Sequence, residues 1–257
     1  MVGLCQPRAA LADSQSIVRE AANAYEQGRY DVARDRYTEL LKDPRWHGPA
    51  LYNLGNIAAR QKKLGEAAAF YREALQELPG DRDTRWNLNY ALSNLGIRQF
   101  GGGKGTWELF RTEILNVITL DQVFVALLIV LFFSLFNTYK FLKKRKRARL
   151  NEEPVPTAPF IMFVWIFLFF IVGGTSICKI VDGYSGRGTV VSTKVDLRSG
   201  PGEANASLAE LSEGYEVLIQ EEAEGWKQVT ALDGPRPGIT GWVPNNSLVV
   251  TAGGGPW

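Results

Sequence analysis

The sequence predicts a multi-domain membrane protein: an all-α solenoid, a two-helix transmembrane hairpin and a small all-β barrel, in that order. Three observations predict it. Residues 34 positions apart match in kind through the first third, two long runs in the middle carry no charge, and the last third alternates apolar and polar residues between tight turns. Pooled composition hides this, since 46% hydrophobic and 22% charged residues would suit an ordinary soluble chain. The 29 basic and 27 acidic residues nearly cancel, which argues against nucleic acid as a partner.

Residues 1–12 are expected to be the remnant of a signal peptide, because Ala10, Leu11 and Ala12 form an A-x-A cleavage pattern just before Asp13. What precedes that pattern is too short and polar for an h-region. Either the true start lies upstream, or this end crosses with the first span. Leu4 occupies the place before Cys5 where a lipoprotein signal has a small residue.

Residues 13–100 form the solenoid. Ile17 and Leu51, Ala21 and Gly55, Tyr30 and Leu64, Ala33 and Ala67, and Tyr37 and Tyr71 correspond between its first two units. Small residues at Gly55 and Ala67 let two antiparallel helices cross closely, Tyr71 fills the gap between neighbouring pairs, and Pro79 ends the second helix. A third unit begins at Asp81, where Tyr52, Asn53 and Leu54 recur as Trp86, Asn87 and Leu88. The spacing of Leu54, Gly55, Ala67, Tyr71, Ala74 and Pro79 resembles the tetratricopeptide repeat, although Glu20 stands where that pattern usually has leucine. The resemblance implies a concave face that holds a peptide or a partner helix. Asn53, Asn56, Arg60 and Asn87 would line it, either as binding groups or as a solvated surface. Residues 101–121 follow as a linker and interfacial segment, with GGGKG at 101–105 expected to be flexible.

The spans are placed at 122–142 and 158–178. Gln122 to Tyr139 and Ala158 to Cys178 are uncharged and approach or reach the roughly 20 residues that a helix needs to cross about 30 Å of hydrocarbon. Between them, at 143–157, lies a basic loop. Lys140, Lys143, Lys144, Arg145, Lys146, Arg147 and Arg149 determine the topology, because Lys and Arg in short loops stay cytoplasmic. Both soluble domains are therefore expected on the extracytoplasmic side of the bilayer, where Lys104, Arg111, Lys179 and Arg187 are the scattered positives. Gly173 and Gly174 are expected to let the two helices approach closely.

Residues 188–252 read as the β module. Gly200, Pro201 and Gly202 turn the chain after the first strand, and Val217, Leu218 and Ile219 supply a core strand. VDLRSGPG, then GWKQV, then GWVPNNSLV resemble the bacterial SH3-like domain in order and spacing. In that family Trp226 and Trp242 would be core or groove aromatics, with the core role favoured. The insert DGPRPG is either a specificity loop or a tolerated insertion.

The whole order of modules, with YNLGN and RWNLNYAL in the repeats, resembles the BatE-type proteins of the Bacteroides aerotolerance operons. This implies a multi-pass inner-membrane component with periplasmic domains. It would act beside Bat-type von Willebrand A-domain proteins in envelope or oxidative-stress tolerance. The expectation is a non-enzymatic adaptor; the alternative is a peptidoglycan-binding envelope sensor acting through the SH3-like domain. No enzyme, metal or cofactor is expected. His47 is the one histidine, Cys5 and Cys178 form no CxxC pair, and the sequence holds no nucleophile with a base and no phosphate loop.

Overall fold

Among the described residues, five helices are laid out before the apolar segment: α1 (Pro7–Glu26), α2 (Tyr30–Leu40), α3 (His47–Arg60), α4 (Leu64–Glu77) and α5 (Arg82–Asn94). The computed structural model describes residues 7–97, 107, 110–115, 117–234 and 236–252. α1 runs through the Ala10-Leu11-Ala12 pattern, while Cys5, Lys104 and the GGGKG linker lie outside the described residues. The chain divides into two compact units, Met1–Leu109 with Tyr184–Trp257, and Phe110–Gly183.

The repeat is visible in backbone conformation as well as in packing. Gly28, Lys62 and Gly96 all take a left-handed φ, at +71°, +61° and +74°. After each, the next amide donates back to a helical carbonyl: Arg29 to Ala24 at 2.8 Å, Lys63 to Ala58 at 3.0 Å, and Ile97 to Leu92 at 2.9 Å. This pattern satisfies carbonyls that a helix end would otherwise leave unpaired. Each of the three therefore closes the first helix of its unit in the same way. α4 stops at Glu77, before Pro79, and α5 starts on Asp81, whose carboxylate accepts from the Thr84 amide at 2.8 Å.

Two cores follow from this period. The first gathers Ala21, Ala24, Ala33, Tyr37, Leu40, Leu54 and Ile57, and the second Ala58, Ala67, Ala68, Tyr71, Leu88 and Leu92. At Gly55 the helices cross so closely that an added Cβ would stand 2.5 Å from Tyr71 Cε1.

The described residues of the same unit also form seven strands, β1 (Arg187–Val190), β2 (Lys194–Arg198), β3 (Ser207–Ser212), β4 (Glu216–Ala223), β5 (Trp226–Ala231), β6 (Thr240–Pro244) and β7 (Leu248–Ala252). They pair antiparallel in one sheet of order β3-β2-β6-β5-β4-β1-β7. Val190, Leu197, Leu211, Val217, Val229, Val243 and Leu248, one from each strand, meet in a single core. A sheet whose strands all reach one core is curled upon itself.

Trp226 and Trp242 do not belong to that core, which corrects the expectation of a core role. Val229 and Ala231 on β5 and Val243 on β6 point inward and are buried, so the alternate residues Trp226 and Trp242 lie on the outer face, half-buried. Trp242 pairs with Gln228, and Trp226 with Pro244, which makes the two rings diagonal neighbours.

The second unit holds a π-helical turn (Arg111–Leu115), α6 (Leu120–Leu150) and α7 (Phe160–Tyr184). Both helices are long and apolar enough to cross a membrane. Thr119 caps α6, accepting from the Gln122 amide at 3.2 Å while the Gln122 side chain accepts from the Thr119 amide at 3.0 Å.

The basic run is not a loop. α6 continues through it for 31 residues, about 46 Å at 1.5 Å per residue, so the cations decorate its last turns, where the helix dipole favours them. Lys140 lies 5.2 Å from the Phe136 ring centroid, and the connection to α7 is 151–159.

The two glycines of α7 do not bring the helices into backbone contact. A Cβ at Gly173 would meet Leu127 at 4.0 Å, an ordinary distance, and one at Gly174 would meet nothing within 4 Å. Bulk makes the contact instead, with the Phe133 and Trp165 rings stacked at 4.8 Å. Among the positives expected to be scattered, Arg111 is 2.9 Å from Asp182 in a buried pair, and Arg187 is 3.5 Å from Glu216.

Candidate functional site

The first helix of each unit lines a groove of about 810 Å³. Tyr25 comes from α1, Tyr52, Asn56 and Arg60 from α3, and Trp86, Asn87, Tyr90 and Asn94 from α5, with Tyr71 of α4 at the floor. The 34-residue period puts these helices side by side, so residues at matching positions form one surface.

A short amide network organises the groove. The Tyr71 hydroxyl donates to Asn56 Oδ1 at 2.8 Å, and Asn87 Nδ2 donates to the same oxygen at 3.0 Å. Burial, reinforced by Tyr52, pushes the Tyr71 phenol well above its ordinary value, so it stays protonated and remains a donor. With both lone pairs of Asn56 Oδ1 taken, its Nδ2 group is left to donate, and Asn87 Oδ1 is left to accept. Such a donor and acceptor on neighbouring helices match the C=O and N–H of an extended main chain. Arg60, an exposed side chain, donates through Nε to the Tyr25 hydroxyl at 3.2 Å.

Of the four residues read from the sequence, Asn56, Arg60 and Asn87 line this groove and Asn53 does not. Asn53 Nδ2 donates to the Pro49 carbonyl of its own helix at 2.9 Å. The reason lies one unit back. Asn87 reaches Asn56, 31 positions earlier, whereas the residue in that relation to Asn53 is Ala22, which has no amide to offer. Asn53 therefore bonds locally.

Sequence reading missed the aromatic half of the groove. Trp86 and Tyr90, four apart on α5, expose 73% and 60% of their surface, far more than rings of that size keep without a reason. The available signal was their i, i+4 spacing on the face that carries Asn87. The outer face of the sheet carries Trp226, Trp242 and, paired with Trp242 across β2 and β6, Arg198. No cluster of His, Cys, Asp and Glu able to hold a metal occurs among the described residues.

A stack of paired helices with an aromatic, amide-lined concave face is a protein-recognition architecture. Residues 18–82 match the tetratricopeptide repeat family, which gives this part of the chain a protein-interaction role in general. A search of curated proteins finds no match.

Proposed function

We propose that the chain is a non-enzymatic adaptor, anchored in a membrane by α6 and α7, whose repeat groove holds an extended segment of a partner protein. The observation that carries this reading is the pair of unspent amide atoms, Asn56 Nδ2 and Asn87 Oδ1, beside the exposed rings of Trp86 and Tyr90. The amides suit any main chain, so selectivity falls to the rings and to Arg60. The β domain, read as SH3-like, adds a second contact through its outer tryptophans, to another protein or to peptidoglycan. The order of modules supports the finer reading, a BatE-type component of an envelope stress-tolerance complex with von Willebrand A-domain partners.

A peptide-display selection against the purified full chain tests the groove. Wild type should enrich a defined set of peptides, and Asn56→Ala with Asn87→Ala should weaken their binding at least tenfold, since two or more hydrogen bonds of about 1 kcal/mol are removed. Equal binding by the double variant would exclude the amides as the recognition element.

The basic end of α6 supports a cytoplasmic turn and extracytoplasmic domains. A reporter that works only outside the cytoplasm, fused after Trp257, is then expected to be active. An inactive reporter would reverse the orientation.

A further inference from the structure

The β domain is docked on the repeats, and the contacts have the character of a folding interface. Arg72 of α4, with only 10% of its side chain exposed, donates through Nη1 to Thr189 Oγ1 at 2.8 Å and to the Gly214 carbonyl at 3.0 Å. Its Nη2 stands 3.7 Å from Asp233 Oδ2, an equally buried carboxylate that also accepts from the Glu216 amide at 3.0 Å. Leaving such a guanidinium buried without these partners would be strongly unfavourable.

The start of α4 repeats the pattern. Lys63, at its N-cap, provides no side-chain hydrogen bond. The missing acceptor comes from 148 positions away: Glu213 Oε1 accepts from the Gly65 amide at 2.6 Å. A carboxylate at a helix N-terminus both pairs an orphan amide and answers the helix dipole.

Shape agrees on both sides. A Cβ on Gly65 would fall 2.2 Å from Glu213 Cγ and 3.0 Å from the Val190 carbonyl oxygen. Gly214, at φ +86°, is pressed into the end of the solenoid, where a Cβ would stand 2.5 Å from Leu95 Cδ1 and 2.9 Å from Ile97 Cδ1. The last helix of a solenoid needs such a cap over its apolar flank.

We infer that the repeats and the β domain are one discontinuous recognition body into which the apolar hairpin is inserted. The β domain caps the outer flank of α4 and the end of α5. The groove, lined chiefly by α1, α3 and α5, stays open while the β domain is docked. Two consequences follow. Neither half is a free module on a tether, so a partner in the groove and one on the outer tryptophan face are held at a fixed spacing. The chain on either side of α6 and α7 belongs to the same body, so any path these helices take through a membrane returns the chain to the side it left. The docked halves form one body whatever the groove binds.

Hydrogen exchange on the full chain in lipid nanodiscs, read by mass spectrometry, tests it with reciprocal variants. Glu213→Ala alters the β domain at a side chain whose hydrogen bond is to the Gly65 amide, and it should raise exchange at the start of α4 about tenfold, the effect of losing a charge-assisted hydrogen bond. Arg72→Ala alters the repeats and should raise exchange in β1 and β4 by at least as much. Unchanged exchange in the half that was not altered, for both variants, would overturn the inference and make the two halves independent. If Arg72→Ala unfolds the chain, the milder Glu213→Ala decides alone: faster exchange in α4 supports the single body, and unchanged exchange rejects it.

Discussion

Gly55→Ala tests whether the groove floor is built as described. The new methyl would lie 2.5 Å from Cε1 and 2.6 Å from Cδ1 of Tyr71, against the 3.5–4.0 Å at which carbon atoms pack best, so the ring must retreat by about 1 Å. It has nowhere easy to go. Tyr71 is 2% exposed, its ring centroid is 6.2 Å from that of Tyr52, and its hydroxyl is tied to Asn56. Overpacking of this kind costs about 1–3 kcal/mol, with this contact near the upper end, while alanine regains about 1 kcal/mol of helix propensity. The net expectation is a loss of about 1–2 kcal/mol. Urea unfolding of the purified chain, followed by far-UV ellipticity, measures it. Tyr71→Leu removes the obstructing ring atoms, so Gly55→Ala should cost at least about 1 kcal/mol less in that background. A Gly55→Ala chain as stable as wild type, or more stable, would refute the close crossing of α3 and α4 and with it the placement of Asn56.

Two further changes probe the same unit. Lys62 holds the left-handed position that Gly28 and Gly96 occupy in the neighbouring units, so Lys62→Gly should stabilise the chain by about 0.5–1 kcal/mol in the same unfolding assay. A loss would show that the lysine contributes more than its strained backbone removes. Glu73 has a carboxyl raised above its ordinary value by burial and by Glu77, opposed by His47. A raised folded-state pKa means that the folded chain holds the proton more tightly. The associated stability is present below the unfolded value and is lost as pH rises through the folded one. Glu73→Gln should therefore flatten stability against pH just above the ordinary glutamate range, and an unaltered profile would remove Glu73 as its source.

The groove was partly readable in advance. Period and polarity point to Asn56, Arg60 and Asn87, since the spacing brings α3 and α5 side by side. Asn53 shares a repeat position with Asn87 and yet bonds within its own helix, because that choice depends on Ala22 in a neighbouring helix. The tryptophans of the sheet show the same division. Alternating residues mark the strands that carry them, but which face a strand turns inward is settled by its register against β4, β5 and β6.

By itself the sequence determined the repeat period, the two apolar helices and the alternating strands, because each is a local pattern written within a few dozen residues. Only the tertiary structure decided that Arg72 and Gly65 on α4 find their partners in the β domain. These contacts join residues more than 100 positions apart across the apolar segment, and nothing in local periodicity records them. A helix start without its own cap and a buried arginine are local deficits, and the partners that complete them are set by how the chain folds back.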